Sequence, residues 1–334
     1  MKFVGKSAVL ALATGVSMMG AGQASALDEI TVAYFLEWPM PFQYARQMGT
    51  YEEELGVAIN WRAFDTGTAM SAAMASGDVH ISVSQGVPPF VVAASAGQDL
   101  QIVDVAVSYS NNDNCVVHAD REIDASNVGD LAGARVGVPI GTAAHYGFLR
   151  QMGHFGIDVS SLEVVDMAPA DSAAALAQGS LDMACGWGGA LRRMLEHGNV
   201  LLTGEEKEAL GIYVLDVTSV PASFAEDEPE LLAGFVGITA RMNAMWNSGE
   251  HTAEMLPVIA ADAGMDEEGT AATLAGFVFP SIADQLSPAW LGGGTQAFLK
   301  EVADFFVATG NIDSARDSYE SAVNTGPLMA AQGM

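Results

Sequence analysis

Arg46-Gln47-Met48-Gly49 and Arg150-Gln151-Met152-Gly153 are the same tetrapeptide, 104 positions apart. Each closes an aromatic-bearing helical pattern, and the flanking elements match as well. Before the first copy, residues 30–34 alternate apolar and polar with the period of a strand. After it come a second strand pattern at 57–64, a small-residue helix at 68–76 stopped by Gly77, and a third strand at 79–84. The second copy has a strand at 135–139, a second at 162–167, a small-residue helix at 171–178 stopped by Gly179, and a third strand at 181–185. The stop glycines lie 102 positions apart, where a helix ends in the left-handed conformation. One tetrapeptide is weak evidence; five elements in one order at nearly one offset are not. Each copy is a β-α-β-α-β unit, and right-handed crossovers then require parallel sheets with helices on both faces. The predicted fold is α/β and two-lobed. Residues 27–114 form the first part of lobe one and 115–217 form lobe two. Residues 218–334 carry helical patterns at 228–247, 251–263, 267–277, 290–309 and 315–325 and return to lobe one. The chain therefore crosses twice, near 111–117 and 214–221, which makes a two-strand hinge.

Composition narrows the function classes. Of 334 residues, half are apolar and 16% are charged, with 41 Asp and Glu against 13 Lys and Arg and a net charge of −28. Nucleic-acid binders carry a basic footprint, and anionic lipid attracts basic segments, so neither is an expected partner. The apolar fraction is too high for a disordered acidic chain. Two cysteines make neither a disulfide framework nor a four-thiolate zinc site. The six histidines show no nucleophile–base or metal-ligand spacing, so no catalytic residue, metal or cofactor is assigned.

Residues 1–26 have Lys2 and Lys6, an apolar run at 7–19, and a small-residue end at Ala24-Ser25-Ala26. That is the pattern of a secretory signal peptide. The run is interrupted by Gly, Ser and Thr and is too short to span a bilayer. An exported chain starting at Leu27 is expected.

Ligands of open α/β sheets bind outside the carboxyl ends of the strands. In lobe one that rule selects the loops Glu37-Trp38-Pro39, Asp65-Thr66-Gly67-Thr68 and Ser84-Gln85-Gly86. In lobe two it selects Ile140-Gly141-Thr142, Pro169-Ala170-Asp171 and Gly186-Trp187-Gly188. These loops are rich in Gly, Ser and Thr where helices begin, and helix N-termini hold anions without a basic side chain. Thr66, Thr68 and Thr142 equally suit ordinary capping. Trp38, Phe42, Tyr44, Tyr146 and Trp187 cluster nearby, and aromatic faces beside Glu37 or Asp216 attract ammonium groups. Asp216 sits in the apolar run 212–217 and needs a partner, either a bound cation or an arginine.

Phe64-Asp65-Thr66-Gly67, a helix, Ala75-Ser76-Gly77-Asp78-Val79, Val138-Pro139, Thr142-x-x-His145-Tyr146, Trp187 and Leu215-Asp216-Val217 follow in an order that resembles periplasmic taurine-binding proteins. These are the solute-binding components of ABC importers in the nitrate/sulfonate/taurine group. The resemblance runs to about residue 220 and is thin in the C-terminal helices. It implies a type II periplasmic-binding-protein fold, a monomer in the periplasm, and taurine or a close amino-sulfonate as ligand. It also implies an ABC permease and its ATPase as partners. By position it implies Glu37 and Asp216 around an ammonium, and Gly141 and Thr142 with His145 and Tyr146 around a sulfonate. Trp187 would wall the pocket, with Trp38, Thr66 and Gln85 completing the lining. The sequence departs from the pattern at 38–42, at 84–89 and at Ala143 and Ala144. The aromatic excess leaves open a quaternary ammonium or sulfonium solute, or another sulfonate. An enzyme like the thiamine-pyrimidine synthases shares the fold, but it would need a cysteine-rich segment and a reactive lysine.

Cys115 follows the first crossing and Cys185 ends the third strand of lobe two. A returning crossover strand would place them side by side, and export permits a bond. Cysteines on adjacent strands often miss the required geometry, so the pairing stays open at this point.

Overall fold

The computed structural model describes residues 27–333, and the expected leader at 1–26 lies outside the described residues. Among the described residues eleven strands form two sheets. The first contains β1 (Glu29–Phe35), β2 (Ala58–Phe64), β3 (Ile81–Gly86), β4 (Leu100–Tyr109), β10 (Val214–Pro221) and β11 (Phe277–Val278), in the order β11-β4-β10-β3-β1-β2. The second contains β5 (Asp113–His118), β6 (Arg135–Val138), β7 (Glu163–Asp166), β8 (Met183–Trp187) and β9 (Gly198–Val200), in the order β7-β6-β8-β5-β9.

The repeat is visible in the pairing. β1 runs parallel to β2 and β3, and β6 runs parallel to β7 and β8. The third strand of each unit starts two residues later than its sequence pattern suggests, at Ile81 and Met183. The sheets are mixed rather than parallel throughout. β10 is antiparallel to β3 and β4, and β5 is antiparallel to β8 and β9. The reason is topological: β5 and β10 are the strands by which the chain enters each sheet after a crossing, and they run against the unit, whereas β4 and β9, which precede the crossings, run with it.

Cys115 and Cys185 face each other across β5 and β8 and are joined by a disulfide. The two tetrapeptides do not end their helices alike. Gly49, with φ of 70°, terminates the helix Phe42–Met48, whereas Gly153 stays inside the helix Ala143–Phe155, which ends at Gly156 with φ of 69°. Met152 is fully buried, and that anchorage carries the second helix past its glycine.

β1, β3 and β10 are buried on both faces except at a terminal residue, as befits strands covered by helices. The larger core gathers around this sheet, with Ile30, Val32, Phe90, Phe235 and Phe306 at its centre. Smaller apolar clusters flank the second sheet. C-terminal helices Pro229–Ser248, Thr252–Ala263, Glu267–Ala275 and Gly294–Ala308 form near their expected positions. The expected helix at 315–325 does not. Arg316 there donates to the Ala94 and Gln98 carbonyls, and Tyr319 is buried, which holds the segment against lobe one with only a short turn, Glu320–Ala322.

Candidate functional site

The carboxyl ends of β1, β3, β4 and β8 meet at one interlobe pocket. Its floor is Asp216 on β10, paired in register with Gly86 at the end of β3. Asp216 is buried. Ser84 Oγ–H donates to its Oδ2 at 2.8 Å, and the Tyr109 hydroxyl donates to Oδ1 at 3.0 Å. The Trp38 indole N–H in turn donates to Ser84 Oγ at 2.9 Å. Ser84 adopts a left-handed φ of 60°, unusual for a residue with a Cβ, and is held there between Trp38 and Asp216. No basic side chain lies within salt-bridge distance of Asp216 among the described residues. Burial pushes its carboxyl up to about 8, opposed by the Ser84 and Tyr109 hydrogen bonds and assisted by Asp113.

Four aromatic rings wall the cavity: Phe35 at the end of β1, Trp38, Tyr109 at the end of β4, and Trp187 at the end of β8. Opposite them are helix beginnings. Gly67 opens the helix Gly67–Ala75, and Thr142 caps the helix Ala143–Phe155. Thr142 Oγ1 accepts from His145 N–H and donates to the Pro139 carbonyl at 2.6 Å. Its hydroxyl is thus committed to the cap. The N–H groups of Ala143 and Ala144, in the first turn, have no intrahelical acceptor and can hold an anion.

Of the ten residues singled out from sequence, Trp38, Thr142, Trp187 and Asp216 line this cavity. The other six do not. Glu37 turns away with φ of 55°, and its carboxylate forms a two-pronged ion pair with Arg193, one prong at 3.0 Å. A guanidinium within reach replaces the ammonium expected there. Thr66 caps its helix by accepting from Ala69 N–H at 3.2 Å. Gln85 is fully buried, donating to the Gly67 carbonyl and accepting from Ser219, so it props the loop from behind. Gly141 gives its N–H to His145 Nδ1 at 3.1 Å. His145 is lowered to about 4 by burial, against a raising influence from Asp166, and its ring packs on Phe306. Tyr146 packs against Phe298, Phe305 and Phe306 and bonds Arg150, so it joins helix Ala143–Phe155 to helix Gly294–Ala308.

Phe35 and Tyr109 escape the sequence reading, whereas Ser84 lies in a loop that it selects. Tyr109 ends the apolar run 102–109 just before the crossing, and that position was the available signal.

Residues 39–245 match the family described as NMT1/THI5 like. The chain belongs to the NMT1/THI5-like family. The taurine-binding periplasmic protein of Escherichia coli K12 is 29% identical over 307 residues, 91% of this chain and 93% of that protein. The structure of the alkanesulfonate-binding protein from Xanthomonas axonopodis pv. citri, bound to MOPS, aligns with a TM-score of 0.73 at 20% identity, covering 90% of this chain and 99% of that one. The structure of a desulfurization enzyme aligns with a TM-score of 0.63 at 15% identity, covering 92% and 99%. The type II periplasmic-binding-protein fold is therefore established for this NMT1/THI5-like chain, and the fold by itself serves both binding proteins and an enzyme.

Proposed function

We propose that the chain is the periplasmic solute-binding component of an ABC importer and carries taurine or a close amino-sulfonate to a membrane permease and its ATPase. The observation that carries this reading is the buried carboxyl of Asp216 sharing one interlobe pocket with two helix N-termini. A zwitterion with an ammonium and a sulfonate answers both ends. Among the described residues no cysteine, histidine or lysine lines the cavity, which favours holding a solute over transforming it. The similarity to the taurine-binding relative over nine-tenths of the chain supports the same reading. Export through residues 1–26 and function as a monomer belong to this proposal.

Titration calorimetry on protein from residue 27 onward tests it. Taurine is expected to bind at least about tenfold more tightly than ethanesulfonate, because the latter leaves Asp216 without a cation. Equal affinity for the two would remove the ammonium site from the proposal, and absence of binding to either would end the sulfonate reading.

A further inference from the structure

We propose that the amine end of the natural ligand is N-methylated, so that the cavity selects a methylated amino-sulfonate over taurine itself. The inference rests on the amino-sulfonate reading and deepens it.

It starts from what the walls offer a cation. Among the described residues lining the cavity Asp216 carries the one carboxyl, and both its oxygens already accept a hydrogen bond. Trp38 spends its indole N–H on Ser84, and Tyr109 spends its hydroxyl proton on Asp216. Both rings are thus fixed around the carboxylate by their polar edges. The Thr142 hydroxyl is committed to Pro139 and His145. A primary ammonium has three diverging N–H donors and no acceptor. One can reach Asp216, but no other side chain among the described residues lining the cavity offers a free acceptor. Unpaired buried donors are costly.

The rings instead form two corners. Trp38 and Tyr109 have centroids 4.9 Å apart at 70°, and Phe35 and Trp187 have centroids 5.7 Å apart at 58°. Rings set at such angles present surfaces on several sides. A methylated ammonium spreads its charge over its methyl groups, contacts ring faces without hydrogen bonds, and keeps its Coulomb attraction to one carboxylate. Trp187 comes from lobe two while the other three rings come from lobe one, so the cage is complete only with the lobes together.

Calorimetry with taurine, N,N,N-trimethyltaurine, glycine betaine and 3,3-dimethylbutanesulfonate tests this. The last has the shape of the trimethylated compound without its positive charge. The expected order is trimethyltaurine tighter than taurine by about tenfold or more, and tighter than the carbon isostere by about tenfold or more. Trp187→Leu is expected to narrow the trimethyltaurine-to-taurine ratio to below about threefold. Taurine binding as tightly as trimethyltaurine overturns the inference and leaves the amino-sulfonate reading standing. Equality of the ammonium compound and its carbon isostere overturns it too, since shape alone would then explain the preference. Binding of glycine betaine with no sulfonate bound supports the methylated cation and overturns the sulfonate reading. No binding by any of the four overturns both.

Discussion

At neutral pH the Asp216 carboxyl, pushed up to about 8 mainly by burial, keeps its proton until a cation arrives. An ammonium in the cavity favours the charged form, so binding at pH 7 is expected to release most of one proton. Calorimetry in buffers of different ionisation enthalpy measures that release directly, and affinity should fall by up to about tenfold per pH unit below 8. The same residue acts on the ligand-free protein. Its folded value lies above the unfolded one, so its contribution to stability is present below about pH 4 and is lost as pH rises through about 8. Asp216→Asn should flatten that fall in melting temperature between pH 5 and 8. The variant should also weaken taurine binding by roughly ten- to hundredfold, about 1.5–3 kcal/mol for a charge-assisted hydrogen bond. Asp113, raised to about 7 by burial against the pull of Lys207, has the same sign and leaves a residual slope in the variant.

Between elements, the loop after β1 and the helix Gly188–Leu195 hold the lobes together. Gly189 N–H donates to the Glu37 carbonyl at 2.9 Å, and Arg193 grips the Glu37 carboxylate. Both side chains are part-exposed, so the pair is worth only about 0.5–1 kcal/mol. Arg193→Ala should therefore weaken ligand binding by roughly two- to fivefold, chiefly through faster release, and reduce its salt dependence. Stopped-flow release at two ionic strengths checks this. The disulfide between β5 and β8 joins residues 70 apart in sequence. Replacing both cysteines by Ser should cost about 2–5 kcal/mol of unfolding free energy in denaturant titrations. The repeat units were legible because strand and helix periods lie in local sequence, and the floor residue Asp216 was legible because an acid in an apolar run is anomalous. Glu37 was misplaced because its backbone turn and its partner Arg193, 156 residues away, are tertiary facts. Tyr109 was missed for a similar reason: its role depends on its strand lying beside β10, which no local pattern reveals.

Across the whole molecule, closure depends on close approach at Gly188. Its φ of 53° already disfavours a side chain, and a Cβ there would collide with the Glu37 carbonyl oxygen and lie 3.0 Å from the Trp38 ring. Gly188→Val should leave two folded lobes that cannot meet. Small-angle scattering is expected to show no compaction on adding ligand, with affinity down by roughly tenfold or more as the competent state is depopulated. Another consequence follows from the strand register. Tyr109 and Val214 are partners on adjacent antiparallel strands, one at the exit from the first sheet and the other at the return. All of lobe two, disulfide included, is thus spliced into lobe one through a single hairpin mouth. Its two ends lie one strand spacing apart, so a short turn from Tyr109 to Val214 would seal the remaining lobe as an uninterrupted sheet. The second lobe is in this sense a cassette, exchangeable between relatives without redesigning the sheet that receives it.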